Sequence, residues 1–400
     1  MTIQTNSNIL VAIRRETTTG VQATATGATY VRLIGSPGLE LKRSRVTAQE
    51  LREDGNTSMG RLAGKSVEGS FDSELTVGGH TTIVSEAIMR SAYATSFAVG
   101  FATMTTIAIG TNTLTAAGGD FVGTQGVRVG DVFRLSGTTV SGNNNTNHVV
   151  VAVGSMTIVT TTGAFTTLAA TATGTLTVLR KVINATSPTR YSHTIEQHDE
   201  DADASELFLG CRVNTMRVSC KPNEMAKLSF SVMGMDRSTV TGASAPYFTS
   251  PTLTTGLGLI ADDASILYNG AVVGTFTGFD LAFTIGTRGQ PVLGSFVPPD
   301  IFDNLLDVTG TITALRSDFS NLTLFDAETE FAVQILLEEL ASAPKPCFSI
   351  FLPRVKLAGL SAPVGGGDGP KIETLQLMAG PKVAATGYDG TIASISSSAA

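Results

Sequence analysis

The sequence predicts a mainly β protein with one flanking α-helix and a small all-β domain inserted into it, and three observations carry that expectation. Apolar residues recur with a period of two in segment after segment, as strands with one buried face require. Forty-two glycines and no tryptophan accompany long tracts of threonine, valine and alanine, a composition of strands and turns rather than helices. Between Phe97 and Leu179 the formal charges thin to Asp120, Arg128, Asp131 and Arg134, which marks off a separate module. The expected organisation is a discontinuous main domain, 1–96 with 181–400, and an inserted β-rich decoration domain, 97–180.

The first strongly alternating stretch is "GRLAGKSVEGSFDSELTV", Gly60 to Val77. Val67, Gly69, Phe71, Leu75 and Val77 share one face, and Glu68, Ser70, Asp72, Glu74 and Thr76 the other. Its opening mimics a phosphate-binding loop. That loop needs four residues between its glycines so that successive N–H groups curl around the phosphate, whereas Gly60 and Gly64 enclose three. A period-two run follows, not the helix whose N-terminus would hold the anion. The expectation is a loop entering a half-buried strand, with Lys65 a contact or solvent lysine.

One helix is expected, over 81–94, with Ile83, Val84, Ala87, Ile88 and Tyr93 on an apolar stripe. Glu86 and Arg90, four apart, would pair on its outer face. In the insert, "VRVGDVFRLSG", "NHVVVAVGSMTIVTT" and "TGTLTVLRK" read as short strands of a small barrel or sandwich, and "SGNNNTN" as a solvated turn. Beyond it, "KPNEM" reads as a hairpin loop whose register sets Cys220 against Ala226, Val218 against Leu228 and Met216 against Phe230. The phase slips at Asn214 and Thr215, which predicts a bulge or the end of pairing. Phe279, Leu281, Phe283 and Ile285 alternate again, as do Phe331, Val333, Ile335 and Leu337. "APVGGGDGP" reads as a turning connection and "ASISSSAA" as a frayed end.

Hydrophobic residues make up 42% of the chain and charged ones 15%, against roughly 25% charged in an ordinary soluble domain. Such a chain buries surface against copies of itself. The net charge of −7, with no lysine- or arginine-rich run, disfavours a tight grip on nucleic acid, which needs cations to displace counterions. The first residues carry no basic leader followed by an apolar run, and no apolar segment is long enough to cross a bilayer, so neither a secretion signal nor a membrane partner is expected. Cys211, Cys220 and Cys347 lack metal-type spacing and read as small buried hydrophobes in a reducing compartment.

"SHTIEQHDEDADASE" is the most suggestive constellation for chemistry, and it fails. His193 and His198, five apart, point to opposite faces of a strand. Asp199, Asp201 and Asp203 open like a calcium loop, but Ala204 stands where that loop needs glycine and Gly210 where it needs the closing glutamate. Ser36 in "GSPG" does not match a nucleophile elbow. No catalytic, cofactor-binding or metal-binding set is expected, and the chain reads as no enzyme.

Strands with one greasy and one polar face leave open edges that recruit neighbours. If copies satisfy those edges around a ring, the polar faces line a central hole, Glu68, Asp72 and Glu74 are the candidates for that lining, and such an acidic lumen would repel a DNA duplex and let it slide without sticking. The alternative is that these carboxylates face bulk solvent.

The order of segments then becomes recognisable. "VAIRRETTTG" and "ATYVRLIGSPGLELKRSRVTAQELREDGNTSMGRLAGKSVEGSFDSELTVGG", followed after the insert by "YSHTIEQHDE", "LFLGCRVNTMRVSCKPNEMAKLSFSVMGMD", "LDVTGTITALRSDFSNLTLFDAETEFAVQILLEE" and "FSIFLPRVKLAGL", resemble bacteriophage tail tube proteins of the siphophage type. The resemblance implies a tail-tube-type β-barrel or sandwich with a flanking helix. It implies hexameric rings stacked into a hollow conduit for DNA ejection around a tape measure protein, joined to tail terminator and tail tip proteins, with genomic DNA passing through unbound. It places the protein in the virion tail, assembled in the host bacterial cytoplasm. It also implies that the long loop after the second strand reaches a neighbouring subunit or ring. Here that loop is 42–66, with Glu50, Arg52, Asp54 and Arg61 as its polar contacts. The rival reading is a β-rich adhesin or capsid decoration protein.

Overall fold

The computed structural model describes residues 8–35, 38–50, 52–340, 342–363, 369–383 and 387–399. Its main feature is an antiparallel run of eight strands. In spatial order they are Gly38–Val46, Arg61–Glu74, Lys227–Gly234, the C-terminal half of Ala204–Cys220, Phe276–Thr284, Asp307–Leu315, Ile372–Ala379 and the C-terminal end of Cys347–Ser361. The alternation read from the sequence is why they form one sheet. One rung runs Ser73, Leu228, Val218, Leu281, Gly310, Leu377, Leu357 across seven strands. Its side chains all turn to the buried face. Gly310 sits in that row because a Cβ there would meet the Asp280 carbonyl oxygen at 2.5 Å.

The hairpin at "KPNEM" has the register expected, with Val218 opposite Leu228 and Met216 opposite Phe230, and the ladder slips between Val213 and Thr215 as the phase change predicts. That slip lets the long strand leave the sheet. Its N-terminal half pairs instead with His193–Asp199 and Asp236–Thr241. Cys347–Ser361 does the same, its first half pairing with Phe331–Glu338 and Ser394–Ser397. These departing segments close over the greasy face, so that Ile195, Phe208, Val333, Ile335 and Ile350 share one core with Phe71, Phe230 and Leu281.

The helix spans His80–Met89 and buries Val84, Ala87, Ile88 and Met89. It stops short of the expected end because Arg90 turns left-handed, at φ 53°, and its N–H caps the Ala87 and Glu86 carbonyls. That turn also prevents the Glu86–Arg90 pair. Glu86 instead takes Arg15 at 2.6 Å and the Tyr93 N–H at 2.9 Å, while Arg90 donates to the Asn304 carbonyl at 3.1 Å. A second short helix, Ser320–Asp326, was not expected.

Three further expectations are corrected. The stretch 42–66 is no free loop, because Lys42 pairs with Ser66 and Val46 with Arg61, leaving only 47–60 off the ladder. The tail does not fray: Ser394–Ser397 is fully buried between Arg180–Ile183 and Cys347–Ser361, its small hydroxyl side chains and Ile395 filling the slot between them. In "SGNNNTN" the turn is solvated only in part: Asn145 is exposed and left-handed, at φ 62°, but two other asparagines turn inward. Asn143 is buried and exchanges hydrogen bonds with the Thr166 backbone at 2.7 and 2.9 Å, and Asn144 bonds to the Thr138 N–H and hydroxyl. Most of "APVGGGDGP", and Ser36, lie outside the described residues.

Residues 97–178 form two small sheets. One holds Phe97–Gly100, Thr175–Val178, Val132–Ser136 and Asn147–Val149; the other is built around Thr113–Ala116 and Ile107–Ile109. They enclose a core of their own that includes Phe101, Phe121, Phe133, Leu135 and Leu176. The unit is fastened to the main domain at a polar clasp, where Lys181 reaches Asp131 at 2.6 Å and Asp389 at 2.7 Å. Beside it Gly130, at φ 88°, lies so close to the Phe351 ring that a Cβ would come within 2.1 Å.

Candidate functional site

The outer face of the eight-stranded sheet is mostly polar, with Ala282 and the half-exposed Met378 among its rows. One row runs Asp72, Ser229, Arg217, Ala282, Thr309, Met378, Lys356, and the next Glu74, Lys227, Ser219, Asp280, Thr311, Gln376. The structure therefore brings Glu68, Asp72 and Glu74 together on one open face, as the period predicts. Thr76, assigned to the same face, is buried. The face is concave between Arg217, Asp280, Thr309 and Gln376, which line a shallow depression of about 390 Å³.

Its electrostatics differ from an acidic wall. Lys42 meets Glu68 at 2.8 Å, Arg32 meets Glu74 at 3.5 Å, and Arg217 forks onto Asp280, its Nε 2.6 Å from Oδ1. Lys227 and Lys356 add further cations to the same rows. These hydrogen bonds hold the Lys42 ammonium and the Arg217 guanidinium above their ordinary pKa. Carboxylates and cations are nearly matched, a balance hidden in sequence because the partners come from strands far apart in the chain. The sequence reading missed these cations and the threonine rows; the alternation that placed Asp72 would also have placed Thr309 and Arg217.

Neither edge of this sheet carries a further strand among the described residues, although the Gln197 side chain caps Leu39 on the first, its Oε1 accepting from the N–H at 2.6 Å and its Nε2 donating to the carbonyl at 3.3 Å. Gly38–Val46 pairs with Arg61–Glu74 alone, and residues 356–361 pair with Ile372–Ala379 alone, among the described residues. Eight antiparallel strands leave the two edge strands running in opposite directions. One copy's edge can thus continue the ladder of another's without breaking the alternation.

From the first edge the Gly38–Val46 and Arg61–Glu74 hairpin projects as an arm with an exposed tip. Glu50, Arg52 and Asp54 sit in that tip and satisfy one another locally: Arg52 pairs with Asp54 at 2.8 Å, which lowers the Asp54 carboxyl, and Glu50 accepts from Ser58 at 3.1 Å. Arg61 stands apart at the last rung before the tip, opposite Val46 and without an ion pair among the described residues. The phosphate-loop lookalike is the start of a strand, and Lys65 pairs with Asp236 at 2.8 Å.

His193 is buried on its strand, with its pKa lowered to about 3 by burial and by Arg15. His198 bonds to the Ser205 hydroxyl at 3.0 Å. Asp201 accepts from Asn8, and Glu206 pairs with Arg237 at 2.7 Å. Burial pushes the Cys220 thiol up to about 11 and the Cys347 thiol up to about 12, so neither is a ready nucleophile.

Among known families, the model described as phage tail tube protein matches residues 6–395, nearly the whole chain including the insert. A comparison with curated proteins finds no match.

Proposed function

The chain belongs to the phage tail tube protein family and is a structural protein of the virion tail, and from that premise we propose that it assembles as hexameric rings stacked into the hollow conduit for DNA ejection. The observation that carries the reading is the main sheet: greasy within, mostly polar and concave without, and lacking a further strand at either edge among the described residues. Edge strands of adjacent copies pair around the ring, and the polar face turns to the lumen. Glu68, Asp72 and Glu74 line it together with Arg217, Lys227 and the serines and threonines between them. Such a wall offers a passing duplex short-range polar contacts but no net cationic field to hold it.

The arm, with Glu50, Arg52, Asp54 and Arg61, reaches a neighbouring copy. The insert at 97–180 decorates the outside of the tube. A tape measure protein fills the lumen during assembly, and tail terminator and tail tip proteins close the two ends, all in the cytoplasm of a bacterial host infected by a siphophage. Negative-stain imaging of the purified protein tests the reading. Rings with a central hole, and tubes at higher concentration, are expected; a protein that stays monomeric at every concentration refutes it. Deleting the insert should leave polymerisation intact.

A further inference from the structure

Among the described lysines that have carboxylate partners, Lys181 stands apart. Lys42, Lys65, Lys227 and Lys356 keep between 27% and 56% of their side chains exposed, whereas Lys181 keeps 14%. Its Nζ lies 2.6 Å from Asp131 Oδ1 and 2.7 Å from Asp389 Oδ2, the first carboxylate 2% and the second 20% exposed. The three residues come from three segments: the insert, the strand Arg180–Ile183 that leaves it, and the C-terminal segment. The Val129 N–H ties that last segment to the insert by donating to the Gly387 carbonyl at 2.7 Å.

The two carboxylates are not equivalent. Asp131 is buried, and its Oδ2 accepts from the Arg128 N–H at 2.8 Å, which fixes how its carboxyl carbon faces the lysine. Burial pushes the Asp131 carboxyl up, toward the neutral acid. Asp389 is partly open to water and has the Arg128 Nε 3.8 Å from its Oδ1. Burial works against a charged Lys181, but the two carboxylates outweigh it and raise its pKa. At rest the clasp is thus an ammonium held between two acids. An ordinary ion pair offers no more than attraction. This one adds a second carboxylate that can take the ammonium's proton, and an electrophile biased to its acid form in a site that excludes water. A nitrogen hydrogen-bonded to one oxygen of a carboxyl also stands roughly 3–3.5 Å from its carbon, within a near-attack contact.

We infer that the clasp is the site of a self-catalysed amide bond between Lys181 Nζ and Asp131 Cγ, with Asp389 as the proton relay. Lys181 gives one ammonium proton to Asp389, and the freed amine attacks Cγ of the protonated Asp131. As the C–N bond forms, negative charge falls on Oδ2, where the Arg128 N–H already donates. Asp389 passes its proton to the Oδ1 hydroxyl, the C–O bond breaks and water leaves. Asp389 then takes the second nitrogen proton and releases it to solvent. One amide and one water are the products, and nothing is oxidised or reduced. The bond staples the insert to the strand that follows it and closes a covalent loop over 131–181, which removes freedom from the unfolded chain. It holds whether or not copies form rings.

The test reads the mass of the full chain under denaturing conditions. Wild type should be one water lighter than its sequence. Trypsin should fail to cut after Lys181 and should release a branched peptide that joins Lys181 to Asp131. K181R, which keeps the positive charge but supplies no amine, and D131A should each have full mass and no branched peptide. D389N keeps the shape of the relay without its basicity, and in samples taken at intervals after synthesis it should form the bond roughly 100-fold more slowly. Wild type at full mass, with ordinary cleavage after Lys181, overturns the inference, as does a branch at any other residue. D389N that reacts as fast as wild type overturns the relay. The wild-type mass decides the bond even if a variant fails to fold, and rings or tubes in the microscope are a separate result.

Discussion

The main domain and the insert are both antiparallel β structures with phenylalanine-rich cores, yet they solve the edge problem in opposite ways. The insert folds two short sheets around a core of its own and docks on the main domain through the Lys181 clasp and a small apolar cluster that joins Val132, Val149 and Leu179 to Leu267, Leu336 and Cys347. The main sheet keeps two strand edges and a polar face without a covering strand among the described residues. In the proposed assembly copies complete the main sheet while the insert keeps a core of its own, so stability and assembly should be separable properties of the same chain.

The largest test of that difference is in the cores. Phe230 packs fully buried against Phe71, ring centroids 5.4 Å apart, and Phe230→Ala should cost roughly 3–5 kcal/mol in urea denaturation. Phe133→Ala, beside Phe165 in the insert's core, should cost a similar amount. The comparison is broken if the two variants do not part in the microscope: F133A should retain rings and F230A should lose them. Next comes the clasp. Lys181→Met leaves the buried Asp131 without its counter-charge, and about 3 kcal/mol of destabilisation is expected from an unpaired buried carboxylate. Limited proteolysis should then cut near 94–96 and 180–184 before it cuts the main sheet.

Acid should weaken both regions together. Burial lowers the pKa of His80 and His148 to about 4 and of His193 to about 3, from an ordinary value of 6.5. A base whose folded pKa is depressed keeps its full stability above the unfolded value, and stability falls as pH drops from 6.5 toward the folded values, because the unfolded chain takes up the protons first. At pH 5 each histidine should cost about 2 kcal/mol relative to neutral pH. Denaturation of disassembled protein at the two pH values checks this, and His193→Phe should reduce the difference. The smallest effect is expected on the polar face. Arg217→Ala removes an exposed ion pair with Asp280 and should change stability by less than about 1 kcal/mol. A large loss there would mean that the face is packed rather than open.

Local pattern was legible where neighbours in sequence are neighbours in space. The "KPNEM" register, the bulge at Asn214 and the alternation of Phe279 to Phe283 all depend on a few consecutive residues, and all three are present in the fold. Glu68, Asp72 and Glu74 were placed on one face for the same reason. The helix end was not legible, because the left-handed Arg90 that stops it has contacts far off in the chain, its side chain donating to the Asn304 carbonyl more than two hundred residues away. The 42–66 segment read as a loop because arginines and glycines break its apolar period, although its backbone is largely paired.

By itself the sequence determined that this is a sheet protein with one greasy and one polar face and a low-charge insert, since periodicity and composition are properties of the chain alone. Only the tertiary structure decided which strands stand side by side. It thereby decided that Arg217, Lys227 and Lys356 offset the carboxylates of the polar face, that the terminal serines fill a slot rather than fray, and that neither sheet edge carries a further strand among the described residues. Charge balance, burial and an unpaired edge are relations between segments far apart in the chain, and they come into being only when the chain has closed on itself.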